Sequence, residues 1–242
     1  MSKKKKNPLG DCAICLRYGE LRKSHIISQF NWKKLHKGRE ILGVSKKGPS
    51  KTHRGGIWEH LLCGECEKKF DSLCEDYTAK LLYYKEKKLA AQVDGLSVYK
   101  DIDYVRHRTY FLFTLWRMSV SKKEYFTHVN LSAEHNERLR AALDSGDMLE
   151  GQYPVTLAWI WMTPGQLFDA VGSPIHLKSD ERQSVNLITN GLLQSWCIQG
   201  CHHLDDTSAL GRDTMVIADI DYGDVEWLNQ GMSAVIEANR GR

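Results

Sequence analysis

No stretch of the 242-residue chain approaches the roughly 18 uninterrupted apolar residues that a membrane-spanning helix needs. The longest apolar runs, Tyr110–Leu115 and Val155–Met162, have the size of core segments. No apolar stretch follows the basic N-terminus Met1-Ser2-Lys3-Lys4-Lys5-Lys6, so a secretory signal is not expected. There is no internal repeat, and no low-complexity tract beyond those lysines. What is present is ordinary for a folded chain. Hydrophobic residues make up 42% and charged residues 26%, which excludes a disordered protein. A cytoplasmic location without membrane contact is the expectation. In that compartment the seven cysteines serve as metal ligands or thiols rather than disulfides.

The formal net charge of +4 is unevenly spread. Residues 1–100 carry 22 Lys and Arg against 11 Asp and Glu, a net of +11, whereas residues 101–242 carry 12 against 19, a net of −7. A basic first part suits a polyanionic partner, and lysine-rich loops that keep the protein soluble give the same balance. The acidic second part would repel DNA, so packing, dimerisation or docking of a protein partner is its expected role.

Residues 1–8 read as a basic tail, 9–90 as a cysteine-bearing module and 91–242 as an accessory body, packed with the module or separate from it. The segment Lys46–Gly56 is rich in Lys and Gly and reads as an exposed loop. From Glu65 to about Lys88 apolar residues recur at threes and fours (Phe70, Leu73, Cys74, Tyr77, Leu81, Tyr84), which predicts a helix. Val105–Ser119 predicts a second. Ser132 is a candidate N-cap for a third, with Leu139 and Leu143 on one face and Ser145-Gly146-Asp147 as its stop. Beyond Gly151, the segments 155–161, 184–188, 196–198 and 214–218 read as strands. The fold class is α+β: an N-terminal metal-stapled module, a helical middle and a β-rich C-terminal part.

The strongest chemical signal is Cys12-Ala13-Ile14-Cys15 paired with Cys63-Gly64-Glu65-Cys66. Two Cys-x-x-Cys knuckles supply four soft thiolates, the set a closed tetrahedral structural Zn²⁺ takes. A redox dithiol needs one pair, not two. Such a site is full, so its zinc staples a region too thin to bury its own core and does no catalysis. Cys197, Cys201, His202 and His203 form a weaker second candidate metal set, set against a plain strand at 196–198.

Between the knuckles stands Ser24-His25-Ile26-Ile27-Ser28, and Ile57-Trp58-Glu59-His60-Leu61-Leu62 leads into the second knuckle and then Glu67. Over roughly residues 9–80 this arrangement resembles the HNH-like family of ββα-metal endonucleases. The resemblance implies a hairpin followed by a helix, and hydrolysis of nucleic acid phosphodiesters, with DNA as the expected substrate. It further implies that His25 is the general base, and that Glu67 stands where the family places a metal-binding histidine. Ser24 stands in place of the family's metal-binding aspartate, and Trp58 in place of its asparagine. A hairpin register differing by a residue or two would offer Glu59 or His60 instead. Asp71 and Glu75 follow Glu67 at successive helical turns, and this carboxylate stripe suits a catalytic Mg²⁺ or Mn²⁺. A solvated acidic face reads the same way.

Cations crowd the interval between the knuckles. Lys33, Lys34, Lys37, Arg39, Lys46, Lys47, Lys51 and Arg54 are candidates for phosphate contacts that carry no sequence readout. Arg54 beside Gly55-Gly56 is the candidate transition-state contact. Trp32 and Trp58 could stack on bases, with core packing the plainer role. Stand-alone members of the resembled family serve restriction or antiviral defence in bacteria and phages, sometimes beside an ATPase or sensor partner, and the acidic part would dock it. Two further readings remain open. One is a zinc-stapled module that binds nucleic acid or protein without catalysis. The other is a zinc-ribbon transcription factor that has no need of His25.

Overall fold

The structure, a computed structural model, describes residues 6–35, 43–45, 48–50, 55–83, 89–168, 170–179, 181–200, 210–212 and 214–225. Two short strands open the chain, β1 (Leu9–Asp11) and β2 (Tyr18–His25). They are followed by α1 (Gln29–Leu35), the small β3 (Gly43–Ser45) and β4 (Gly48–Ser50), and then β5 (Trp58–Cys63). β1, β2 and β5 form a three-stranded antiparallel sheet, in which Leu21 lies opposite Cys63 and His25 opposite Trp58. A bulge between Arg22 and Lys23 shifts the register by one, so that Ser24 faces Glu59 and Lys23 faces His60.

Directly after β5 the chain turns helical. α2 (Gly64–Phe70) runs through one π-helical turn (Asp71–Glu75) into α3 (Asp76–Tyr83). A tight hairpin follows, β6 (Leu89–Val93) and β7 (Leu96–Lys100). Its turn residues Asp94 and Gly95 have φ of 50° and 74°, the paired positive values that Asp-Gly supplies to a two-residue hairpin loop.

α4 (Tyr104–Val120) starts on Asp103, whose side chain accepts from the Arg106 amide. Every residue from His107 to Met118 is buried, so α4 is a helix packed on all sides. Phe70 stacks on Phe113 at 4.1 Å on the module side, and Phe111 meets Trp196 edge-on at 6.2 Å on the sheet side. α5 (Ala133–Ser145) is capped as its sequence predicts, by Ser132 at the start and by Gly146 (φ 84°) at the end.

The remaining strands are β8 (Val155–Thr163), β9 (Gln166–Leu167), β10 (Ile175–Lys178), β11 (Gln183–Thr189), β12 (Leu192–Gln199) and β13 (Thr214–Asp221). Among the described residues they form one sheet of order β10-β11-β12-β8-β13-β7-β6, with β9 beside β8. β8 and β13 pair in parallel, and the other neighbours are antiparallel. The hairpin at 89–100 thus joins the C-terminal sheet, although its residues fall within the expected helical middle. One contiguous core runs from Cys12 and Ile14 through α4 to Met215 and Ile217, so module and body share their interior. Among the described residues no helix is long and apolar enough to cross a membrane.

His107 on α4 is buried within this core, its Nδ1 3.3 Å from Thr78 Oγ1 and its Nε2 2.9 Å from Met215 Sδ. Burial pushes its imidazole down to about 3. The unfolded chain protonates this ring near pH 6.5, while the folded chain keeps it neutral, so acid favours unfolding below that pH. Between pH 6.5 and 5 this one group is expected to cost about 1–2 kcal/mol of stability. Urea unfolding of the wild type and His107→Gln at both pH values checks this: the variant's stability falls less steeply.

Candidate metal centre and histidine site

The first knuckle is a tight turn, with the Leu16 amide donating to Cys12 O at 2.9 Å and Leu16 at a φ of 60°. It is pinned to β5 by the bond from Ala13 N to Leu61 O, 3.0 Å. The second knuckle joins the end of β5 to the first turn of α2. This brings the sulfurs of Cys12, Cys15, Cys63 and Cys66 within 4.8 Å of one another, a group that can hold a structural metal such as zinc. Cys12 and Cys66 are buried, and burial raises both thiols. Burial pushes the Cys15 thiol up as well, but hydrogen bonds from Arg17, whose Nε lies 3.4 Å from its sulfur, and from Cys12 and Cys66 outweigh it and bring it down to about 6. A guanidinium donating to a thiolate stabilises the deprotonated form that binds metal.

Three bonds from two side chains tie this corner to α5. Arg140 Nη1 donates to Ile14 O at 2.7 Å, and Lys69 Nζ donates to the carbonyls of Leu143 and Asp144. The cysteine group is therefore tied to the rest of the fold. Cys74 is buried, as its place on the apolar side of the helix predicts. Cys197, in contrast, is disulfide-bonded, which departs from the expectation of ligands and thiols throughout. Cys201, His202 and His203, the rest of the second candidate metal set, lie outside the described residues.

His25 ends β2, half-buried, and its Nε2 lies 2.9 Å from Gly55 O. A carbonyl can only accept, so Nε2 carries the proton and the lone pair is left on Nδ1. Burial lowers the imidazole's affinity for a second proton, and the nearby Arg117 guanidinium adds to this, against the Gly55 bond and Glu75. The ring is therefore neutral at physiological pH.

The preceding residue, Ser24, is fully buried; its hydroxyl accepts from the Leu62 amide at 3.2 Å and donates to Glu67 Oε1. Glu67 thus meets β2 at Ser24, the residue before His25 in the chain. Burial raises its carboxyl, and the Ser24 bond and Arg117 partly offset this.

The three carboxylates differ in exposure and in partners. An uninterrupted α-helix would align Glu67, Asp71 and Glu75. The π turn intervenes, with the Asp76 amide bonding back five residues to Asp71 O. Asp71 is exposed, while Glu67 and Glu75 are half-buried. Glu75 Oε1 is 2.7 Å from Arg117 Nη1 and accepts from Ser28 Oγ at 2.6 Å. Burial raises the Asp71 carboxyl, and Asp76 and Glu75 add to this by repulsion. Among the described residues the four cysteines are the one group of three or more Cys, His, Asp or Glu close enough to ligate a single ion.

Glu59 Oε1 accepts from Ser121 Oγ and Lys122 N, each at 2.8 Å, and so anchors the chain after α4 instead of serving the His25 site. Trp32 is 2% exposed and donates to Ile27 O, a core role. Trp58 is half-buried under Lys23, whose Nζ lies 4.2 Å from the ring centroid. Lys33 is exposed on α1. Lys34 is on α1 as well, but its side chain, and all of Lys37, Arg39, Lys46, Lys47, Lys51 and Arg54, lie outside the described residues.

Sequence reasoning missed Arg117, Ser28 and the groove beside Glu67. This open groove of about 660 Å³ is lined by Arg17, Tyr18, Arg22, Glu65, Glu67 and Lys68. Its arginines are paired, Arg17 with Glu65 and Arg22 with Glu20, and Tyr18 is 71% exposed. Alternation along β2 (Tyr18, Glu20, Arg22) was the signal that could have assigned these side chains to one face. No protein-family model, no curated protein and no solved structure matches this chain.

Proposed function

We propose that the chain is a metal-dependent nuclease of HNH type that hydrolyses phosphodiester bonds, with double-stranded DNA as substrate. The observation that carries this reading is the pairing at the end of β2: a neutral His25 oriented by Gly55 O, next to a serine that holds a helix carboxylate, Glu67. His25 Nδ1 accepts the proton of the attacking water, and the Nε2–H···O bond to Gly55 keeps the ring in the tautomer that can do so.

The exchange of residue types relative to the family is internally consistent. Where the strand has lost its aspartate, Ser24 hydrogen-bonds a carboxylate supplied from the helix position that the family gives to histidine. Glu67, with Asp71 on the exposed side, is the oxygen donor set for Mg²⁺ or Mn²⁺. Such hard ions are commonly held by one or two carboxylates together with water and substrate oxygens. When bound, the ion neutralises charge on the phosphate and the leaving oxygen. Lys33, Lys34, Lys46, Lys47, Lys51 and Arg54 are the proposed phosphate contacts, Arg54 at the scissile group. A role in restriction or antiviral defence, with an ATPase or sensor partner docked on the acidic C-terminal part, follows from the family resemblance alone.

The test is nicking of supercoiled plasmid by the zinc-loaded chain, with Mg²⁺ or Mn²⁺ added or omitted. Nicking that requires the added ion supports the reading, and none under any condition contradicts it.

One observation favours a second reading, a binding module without catalysis: Glu75 is committed to Arg117 and Ser28, which removes one carboxylate from the stripe. That module would bind nucleic acid with an affinity that falls steeply with salt and is unchanged in His25→Ala.

A further inference from the structure

Arg117 belongs to α4 in the body, yet its side chain ends inside the histidine site. It is 3% exposed and lies 4.0 Å from the centroid of the Phe113 ring. Its terminal nitrogens diverge: Nη1 meets Glu75 Oε1 at 2.7 Å, and Nη2 donates to Ser28 Oγ at 3.0 Å. Ser28 closes the triangle by donating to the same Glu75 oxygen at 2.6 Å.

The two ends of this clamp come from different elements. Glu75 ends the π turn, and Ser28 lies in the short segment that continues from His25 to α1. On its other side that segment is held by Ile26 N donating to Ile57 O and by the His25 ring bonded to Gly55 O, each at 2.9 Å. The His25 segment is thus fixed from one side by backbone and from the other by Arg117. The planar fork of a guanidinium makes the two contacts with two separate nitrogens in a fixed geometry, where a lysine has a single nitrogen on a shorter reach.

We propose that Arg117 is a positioning residue for His25: its fork ties Ser28 to Glu75 and so holds the segment that carries the His25 ring. The proposal rests on the reading of His25 as general base. It makes the body part of the active centre. A merely structural Arg117 would balance the charge of Glu75, and a lysine would do that as well.

The experiment compares zinc-loaded full-length wild type, Ser28→Ala and Arg117→Lys. Ser28→Ala leaves the ion pair in place and removes only its link to the His25 segment. Both variants are expected to lower kcat by roughly tenfold to a hundredfold at near-constant KM, because misplacement of a base costs rate more than binding. Zinc content and Tm of Ser28→Ala stay close to wild type. Wild-type kcat in both variants overturns the proposal.

Amide exchange at Ile26 provides a readout independent of activity. It is expected to quicken in Ser28→Ala, and unchanged exchange also overturns the proposal. A wild-type chain that does not cleave contradicts the general-base reading, and the Ile26 exchange then decides alone whether Arg117 holds this segment.

Discussion

His25→Ala is expected to lower cleavage by about 10²–10⁴-fold, the contribution of a positioned general base. Its zinc content and Tm should remain near wild type. Among the described residues the ring makes one hydrogen bond, to Gly55 O, and the backbone of its segment is held independently by the Ile26–Ile57 bond. Removing the imidazole therefore removes the proton acceptor without releasing the strand end. Single-turnover rates at saturating Mg²⁺ or Mn²⁺, with zinc content and melting recorded on the same samples, check this. A variant that cleaves at the wild-type rate would move the base elsewhere.

Cys63→Ser is expected to do the opposite, damaging the fold first. The four sulfurs gather within 4.8 Å at the junction of β5 and α2, and Cys12 and Cys66 belong to the shared core. Without an ion, this corner holds buried thiols whose ionisation burial opposes. Apparent binding free energies for structural Zn²⁺ of about 10–16 kcal/mol are large compared with the stability of a domain. A serine at position 63 is expected to abolish stoichiometric zinc binding and to release the β2–β5 sheet and α2. Metal analysis and urea unfolding of the variant provide the check. A zinc-replete variant with wild-type unfolding would refute the four-cysteine centre.

How far the sequence foretold this arrangement depends on the range of the interaction. Local signals held: Ser132 and Gly146 cap α5, the apolar run 105–119 became the buried α4, and the four strand segments after Gly151 all lie in the large sheet. The hairpin 89–100 has a short-range signal in its Asp94-Gly95 turn, but it lies between two helically periodic stretches and its strands are short. The π turn could not be read, since one extra residue in a helical turn leaves the apolar spacing nearly intact. Arg117 was hidden for a different reason. Its partners Glu75 and Ser28 are distant in the chain, and only the packing of α4 between module and sheet joins them. The cysteine pairs were legible because Cys-x-x-Cys spacing is itself a geometric constraint.

The central claim is that His25 activates water at a divalent-ion site in a fold stapled by the four cysteines. The most direct measurement is nicking of supercoiled plasmid by zinc-loaded wild type and His25→Ala, side by side, with and without Mg²⁺ or Mn²⁺. The account predicts ion-dependent nicking by the wild type and its loss in the variant. Equal nicking by both proteins, or none by a folded and zinc-replete wild type, would contradict it.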